Sequence, residues 1–214
     1  MINNILADGM PTAITVNGIP FELNTDYRTW LKVGVLMNEM NGSDNPNELF
    51  FQICELAVKK YPEKGYVIGD ELLAGLLEFY KGFPTVENSA NEKKKENIKN
   101  KEASFDFQYD AEYIYCSFAS FYGIRLQTVK QMHWWEFLVL FRGLMMSDQT
   151  SLNFVVGARQ QKVTSKMPKE EKARLQKLKT QFALPLDEQS RKAEKNMANV
   201  LKNLGKNKEE KPND

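Results

Sequence analysis

The sequence predicts a mainly α protein: a small N-terminal β-hairpin followed by short helices, then a second, aromatic-rich helical bundle. Three observations carry this. Asn17-Gly18 stands between two short β-type runs, the natural sequence of a tight hairpin turn. Apolar residues then recur at three-and-four spacing between helix-stopping Gly and Pro residues. Finally, aromatic residues crowd together after residue 104, from Phe105 to Phe141.

Ile14-Thr15-Val16 and Ile19 to Leu23 form the expected hairpin arms. Pro20 lacks an N–H and requires an unpaired or edge position. Two strands alone are marginal, so the ribbon must lean on helices or join a partner's strands. Asn24 or Thr25 then caps a helix holding Trp30, Leu31, Val33, Leu36, Met37 and Met40, stopped by Asn41-Gly42-Ser43. Asn45-Pro46 opens the next, with Leu49, Phe50, Ile53, Leu56 and Ala57 inward and Tyr61-Pro62 as its end. A third spans about Asp70 to Tyr80 and closes at Gly82 and Pro84.

Residues 87–103 are polar and mixed in charge, with Ile98 the single large aliphatic residue. Such a stretch buries too little apolar area to offset its ordering entropy, so it reads as a flexible linker. The expected organisation is a 1–86 hairpin-plus-helix subdomain, the 87–103 linker, a 104–186 aromatic-rich helical subdomain and a disordered 187–214 tail. In the second half, Ala111 to Tyr122 reads as a helix ended by Gly123. Thr128 and Gln131, at capping-box spacing, predict another from Val129 to Arg142. Asp148, Thr150 or Ser151 caps a short helix through about Ala158. Pro168 opens a last one, with Glu170 and Glu171 favouring its dipole and Leu175, Leu178 and Phe182 in one narrow stripe.

Composition bounds the function. Apolar residues make up 42% and charged residues 27% of the chain, the balance of a globular protein with a packed core. The net charge of +1 supplies no overall field toward nucleic acid or membrane. The longest apolar run, Phe137 to Phe141, falls far short of the roughly 20 residues of a membrane span. The N-terminus lacks signal-peptide features, which predicts a cytoplasmic protein. Cys54 and Cys116 both sit in apolar helical patterns and are expected as buried, reduced thiols.

Catalytic and metal constellations are not evident, and no cofactor is expected. His133 is the one histidine, without a nucleophile in view, and two distant cysteines do not give ligand spacing. Asp106/Asp110 and Glu170/Glu171 sit at capping or solvated positions. No phosphate-loop motif occurs. What remains is protein binding. Trp134, Trp135, Phe137, Phe141 and Arg142 share one helix that is apolar nearly all round. Neighbouring residues on a helix point about 100° apart, so one indole is expected in the core and the other outward as an anchor. The candidate partner-binding residues are therefore His133, Trp134, Trp135 and Arg142, with Arg142 able to reach a carboxylate. The Leu175, Leu178 and Phe182 stripe joins them.

FDFQYDAEYIYCSFASFYGIRL (105–126), MHWWEFLVLFRGL (132–144) and the VVGAR helix end (155–159) resemble a family of small proteins from phages and prophages of Gram-positive bacteria. The family is known by a gene-product number. The TAITVNGIPFELNTDYRTWL and YKGFP segments of the first half fit as well. The resemblance implies tail morphogenesis in long-tailed phages, as a tail-assembly chaperone acting in the bacterial host cytoplasm. Its implied partners are the tape-measure and tail-tube proteins, with self-association left open. The alternative is a structural minor virion protein, such as a head–tail connector or minor tail protein. A nucleic-acid-binding regulator is a third reading, and the near-zero net charge argues against it.

Overall fold

A computed structural model describes residues 5–40, 43–83 and 105–185. The expected linker at 87–103 and the tail at 187–214 lie outside these residues. The chain forms two compact units, 1–160 and 161–214.

The hairpin is β1 (Ala13–Val16) and β2 (Ile19–Leu23). Asn17 and Gly18 adopt φ of 50° and 80°, the double positive φ of a type I′ turn. Alternation places Phe21 and Leu23 of β2 inward. Two helices follow, α1 (Tyr27–Met40) and α2 (Pro46–Ala57). The chain then leaves α2 in extended conformation and adds β3 (Val58–Lys60) beside β2, giving a sheet of order β1-β2-β3. The hairpin thus finds its third strand in its own chain. β3 pairs with Glu22 and Leu23, so Pro20 faces no ladder partner on that side. The register shifts between these two pairs, and Lys59, which falls in the irregularity, makes an exposed ion pair with Glu22 at 2.6 Å. Sequence reading ran α2 on to Tyr61 because Ala57-Val58 carries no turn signal.

Helix α3 (Asp70–Lys81) lies over β1. Gly75 makes this close approach feasible: a Cβ there would stand 3.0 Å from Ile14 Cδ1. Helices α4 (Ala111–Tyr122), α5 (Trp134–Met146) and α6 (Ser151–Gln160) complete the first unit. The second unit contributes α7 (Lys169–Gln181).

Capping differs from expectation at two helices. Asp26, not Asn24 or Thr25, caps α1, its Oδ1 accepting from Arg28 N–H at 2.9 Å. Helix α5 starts at Trp134 rather than Val129, because His133 is its N-cap. Thr128 instead donates its hydroxyl to Arg125 O. At α6 the expected Thr150 does cap, its Oγ1 accepting from Asn153 N–H at 3.1 Å.

One core runs through elements on both sides of residue 104. Trp30 of α1 meets Phe79 of α3, Tyr80 stacks on Trp134, and Tyr27 and Phe118 both stack on Phe137. The anticipated boundary at 87–103 therefore does not divide the core: α5 is packed by residues from each half. The two halves are also joined through their backbones. Asp26 and His133 form an isolated antiparallel bridge. Tyr27 N–H donates to Met132 O at 3.0 Å and Trp134 N–H to Thr25 O at 2.7 Å. Tyr27 and Trp134 are the first residues of α1 and α5, whose opening N–H groups have no intrahelical acceptor. Each helix start is satisfied by the chain leading into the other.

Candidate protein-binding face

His133 sits where these two helix starts meet. Its Nδ1 accepts from Trp135 N–H and its Nε2 donates to Pro11 O, both at 3.0 Å. This pattern fixes the neutral tautomer with hydrogen on Nε2. Burial lowers its pKa; the Pro11 bond and Glu136 act in the opposite sense. Both ring nitrogens are thus used structurally.

Trp134 and Trp135 are both buried, at 0% and 8% exposure, so the outward indole expected at this pair does not exist. The reason lies in α3. Its last turn offers two successive carbonyls: Trp134 Nε1 donates to Tyr80 O and Trp135 Nε1 to Phe79 O, each at 2.9 Å. Phe79 and Phe83 cover the Trp135 ring, and Tyr80 covers that of Trp134. Two indoles 100° apart can both be buried because the end of α3 wraps around this side of α5. Arg142 is likewise drawn inward. It is half-buried, with Nη2 3.4 Å from both Lys81 O and Phe83 O. That places its charge at the negative end of the α3 dipole.

The outward stripe of α5 is Glu136, Val139, Gly143 and Met146, spaced as one helical face. Val139 is 38% and Met146 86% exposed. Tyr122 extends this face toward α4: its hydroxyl donates to Leu140 O at 3.1 Å and lies over Gly143, where a Cβ would collide with it. Its ring contacts Phe121, itself 42% exposed. Phe121, Val139 and Met146 thus form the exposed apolar rim of this helix pair. Sequence reading missed them because it followed the tryptophans. Removing the inward set Trp134, Phe137, Leu138, Phe141 and Leu144 from the α5 pattern would have left this stripe.

Leu175, Leu178 and Phe182 belong to the second unit, and His133 to the first. Leu175 is buried, and Leu178 and Phe182 are half-buried.

A buried ion pair stiffens the frame behind this face. Asp110, expected at a capping or solvated position, is the N-cap residue of α4 but is fully buried and receives both terminal nitrogens of Arg159, at 2.6 and 2.7 Å. Asp106 N–H also donates to Asp110 Oδ2. This bidentate pair locks the start of α4 to the end of α6. Ser117, further along α4, ties that helix to the start of α6 by accepting from Leu152 N–H. Arg28 does comparable work at α1, donating to Leu126 O and Val129 O. Of the cysteines, Cys54 is buried as expected, and burial pushes its thiol up to about 11. Cys116 is exposed, against expectation, because α4 turns Ile114, Ser117 and Phe118 inward.

Among the described residues, no cluster of three His, Cys, Asp or Glu side chains could hold a metal ion. Nor is any helix there long and apolar enough to cross a membrane.

No curated protein and no solved structure matches the chain. The family described as bacteriophage Gp15 protein matches residues 6–184, which span the sheet, all seven described helices and the candidate face. The chain belongs to the bacteriophage Gp15 protein family.

Proposed function

We propose that this phage protein is a protein-binding tail-morphogenesis factor, a tail-assembly chaperone for the tape-measure protein, and that it works in the host cytoplasm without chemistry of its own. The observation that carries this is the Phe121, Val139 and Met146 rim. A large apolar residue left 86% exposed beside a closed aromatic core is suited to a partner's apolar stripe. Methionine adapts to varied partner shapes. The long helical tape-measure protein needs its apolar face covered until tail-tube subunits replace the cover, which is the role this rim would fill. The use of both His133 ring nitrogens in structural bonds supports a role in binding rather than catalysis.

Co-expression with the tape-measure protein of the same phage tests the reading. The two proteins should co-purify, and the chain should be missing from a mass-spectrometric inventory of purified virions. Stoichiometric presence in virions would instead make it a connector or minor tail protein.

A further inference from the structure

The net charge of +1 conceals a segregation. Residues 5–83 and 105–160 carry sixteen acids and ten bases, whereas 161–185 carry seven bases and two acids. Within the first unit the sharpest acidic stretch is the α1–α2 hairpin. Across Tyr27–Ala57 it has two bases, Lys32 and the Asp26-paired Arg28, against four acids, Glu39, Asp44, Glu48 and Glu55. All four are exposed. Between these helices runs an open groove of about 670 Å³, floored by half-buried Val35, Leu36 and Leu56. Lys32, Gln52 and Glu55 also line it. Glu48, Phe51, Gln52 and Glu55 fall on one stripe of α2, and Phe51 is 53% exposed. Helix α7 has the converse chemistry. From Lys172 to Pro185 there are four bases and no acid. Exposed Arg174 and Lys177 share a stripe with half-buried Leu178.

We propose that these surfaces are two halves of one contact between copies of this chain. The basic stripe of α7 in one copy seats along the apolar-floored α1–α2 groove of the next, against Glu48 and Glu55 on its α2 side. The contact is heterologous, so each copy keeps one groove and one α7 available, and association continues into a ring or a short stack. Charge complementarity selects this occupant. Exposed Glu48 and Glu55 on the α2 side of the groove favour a cationic amphipathic helix, and α7 supplies that chemistry. Exposed charge pairs are individually weak and screened by salt, so the contact is salt-sensitive and concentration-dependent. The proposal stands independently of the tape-measure reading.

Sedimentation velocity of the full chain tests it. The weight-average mass should rise with protein concentration at about 50 mM salt, and the association should weaken at least about tenfold at roughly 500 mM. Arg174→Glu with Lys177→Glu should remain monomeric at low salt, as should Glu48→Lys with Glu55→Lys. All four positions are exposed, so circular dichroism should be unchanged. An equimolar mixture of the two variants should associate again, since each then offers the complement of the other. A wild-type chain that is monomeric at every concentration would overturn the proposal. So would variants that associate like wild type, a mixture that stays monomeric, or a mass increase seen only with added nucleic acid.

Discussion

The burial of both tryptophans of α5 makes a quantitative prediction. Trp134→Ala and Trp135→Ala should each destabilise the protein by about 3–5 kcal/mol, the range for removing a large buried aromatic side chain. Their exposures of 0% and 8% give no basis for separating them. Each deletion also strands a carbonyl at the end of α3, Tyr80 O or Phe79 O, that the indole N–H satisfies at 2.9 Å. Tryptophan to phenylalanine isolates that component. It keeps an aromatic ring in the site while removing the donor, and should cost about 1–2 kcal/mol from the lost hydrogen bond and reduced fill. In a chain of this size 1 kcal/mol shifts Tm by about 2–4 °C. The alanine variants should therefore melt about 6–20 °C lower, and the phenylalanine variants about 2–8 °C lower. Urea denaturation followed by far-UV circular dichroism gives the free energies directly. A Trp135→Ala loss below about 1 kcal/mol would show that the end of α3 does not enclose α5, and the single shared core would fail with it.

Other consequences follow from buried charge, titration and thiol access. Arg159→Met leaves the Asp110 carboxylate buried without its bidentate partner and should cost about 3–5 kcal/mol in urea denaturation, whereas adding Asp110→Leu should recover part of that loss. His133 has a folded pKa below its ordinary 6.5, so its neutral form contributes stability that is fully present above that pH and lost as pH falls through the lowered value. His133→Asn keeps a capping oxygen, and its stability relative to wild type should rise as pH is lowered from about 7 to 5; a constant difference would show that folding leaves the His133 pKa at its unfolded value. A thiol reagent at neutral pH should modify Cys116 at once and Cys54 only on unfolding; two fast thiols would contradict the burial of α2.

Much of the architecture is legible in the sequence because local signals and burial agree. Asn17-Gly18 fixes the hairpin, Pro46 the start of α2, and Gly123 the end of α4 through its αL conformation. Failures occur where tertiary contacts override local rules. Val58–Lys60 becomes a strand because β2 offers an edge, which no local residue announces. The start of α5 moves to Trp134 because a histidine ring replaces the expected Thr128 cap, held there by Pro11 from far along the chain. Asp110 is legible as a cap, but its burial is not, because Arg159 reaches it across 49 positions. The expectation of an outward indole fails for a related reason. Tryptophan is a common interface anchor, but here both indoles satisfy carbonyls of α3, and the outward face falls to Val139 and Met146. Net charge misleads similarly, since +1 sums −6 over residues 5–83 and 105–160, +5 over 161–185 and +2 over the rest of the sequence.

The rim on α4 and α5 is the centre of the functional account, and Met146 reports on it directly. At 86% exposure its thioether should oxidise rapidly with dilute peroxide, while Met37 and Met132, 7% and 4% exposed, should react slowly. Oxidation of the free chain and of the chain co-purified with the tape-measure protein can be compared residue by residue by mass spectrometry. The account predicts that Met146 is strongly protected in the complex and that the buried methionines are unchanged. Equal oxidation of Met146 in the free and bound chain would contradict it, placing the tape-measure contact elsewhere on the molecule.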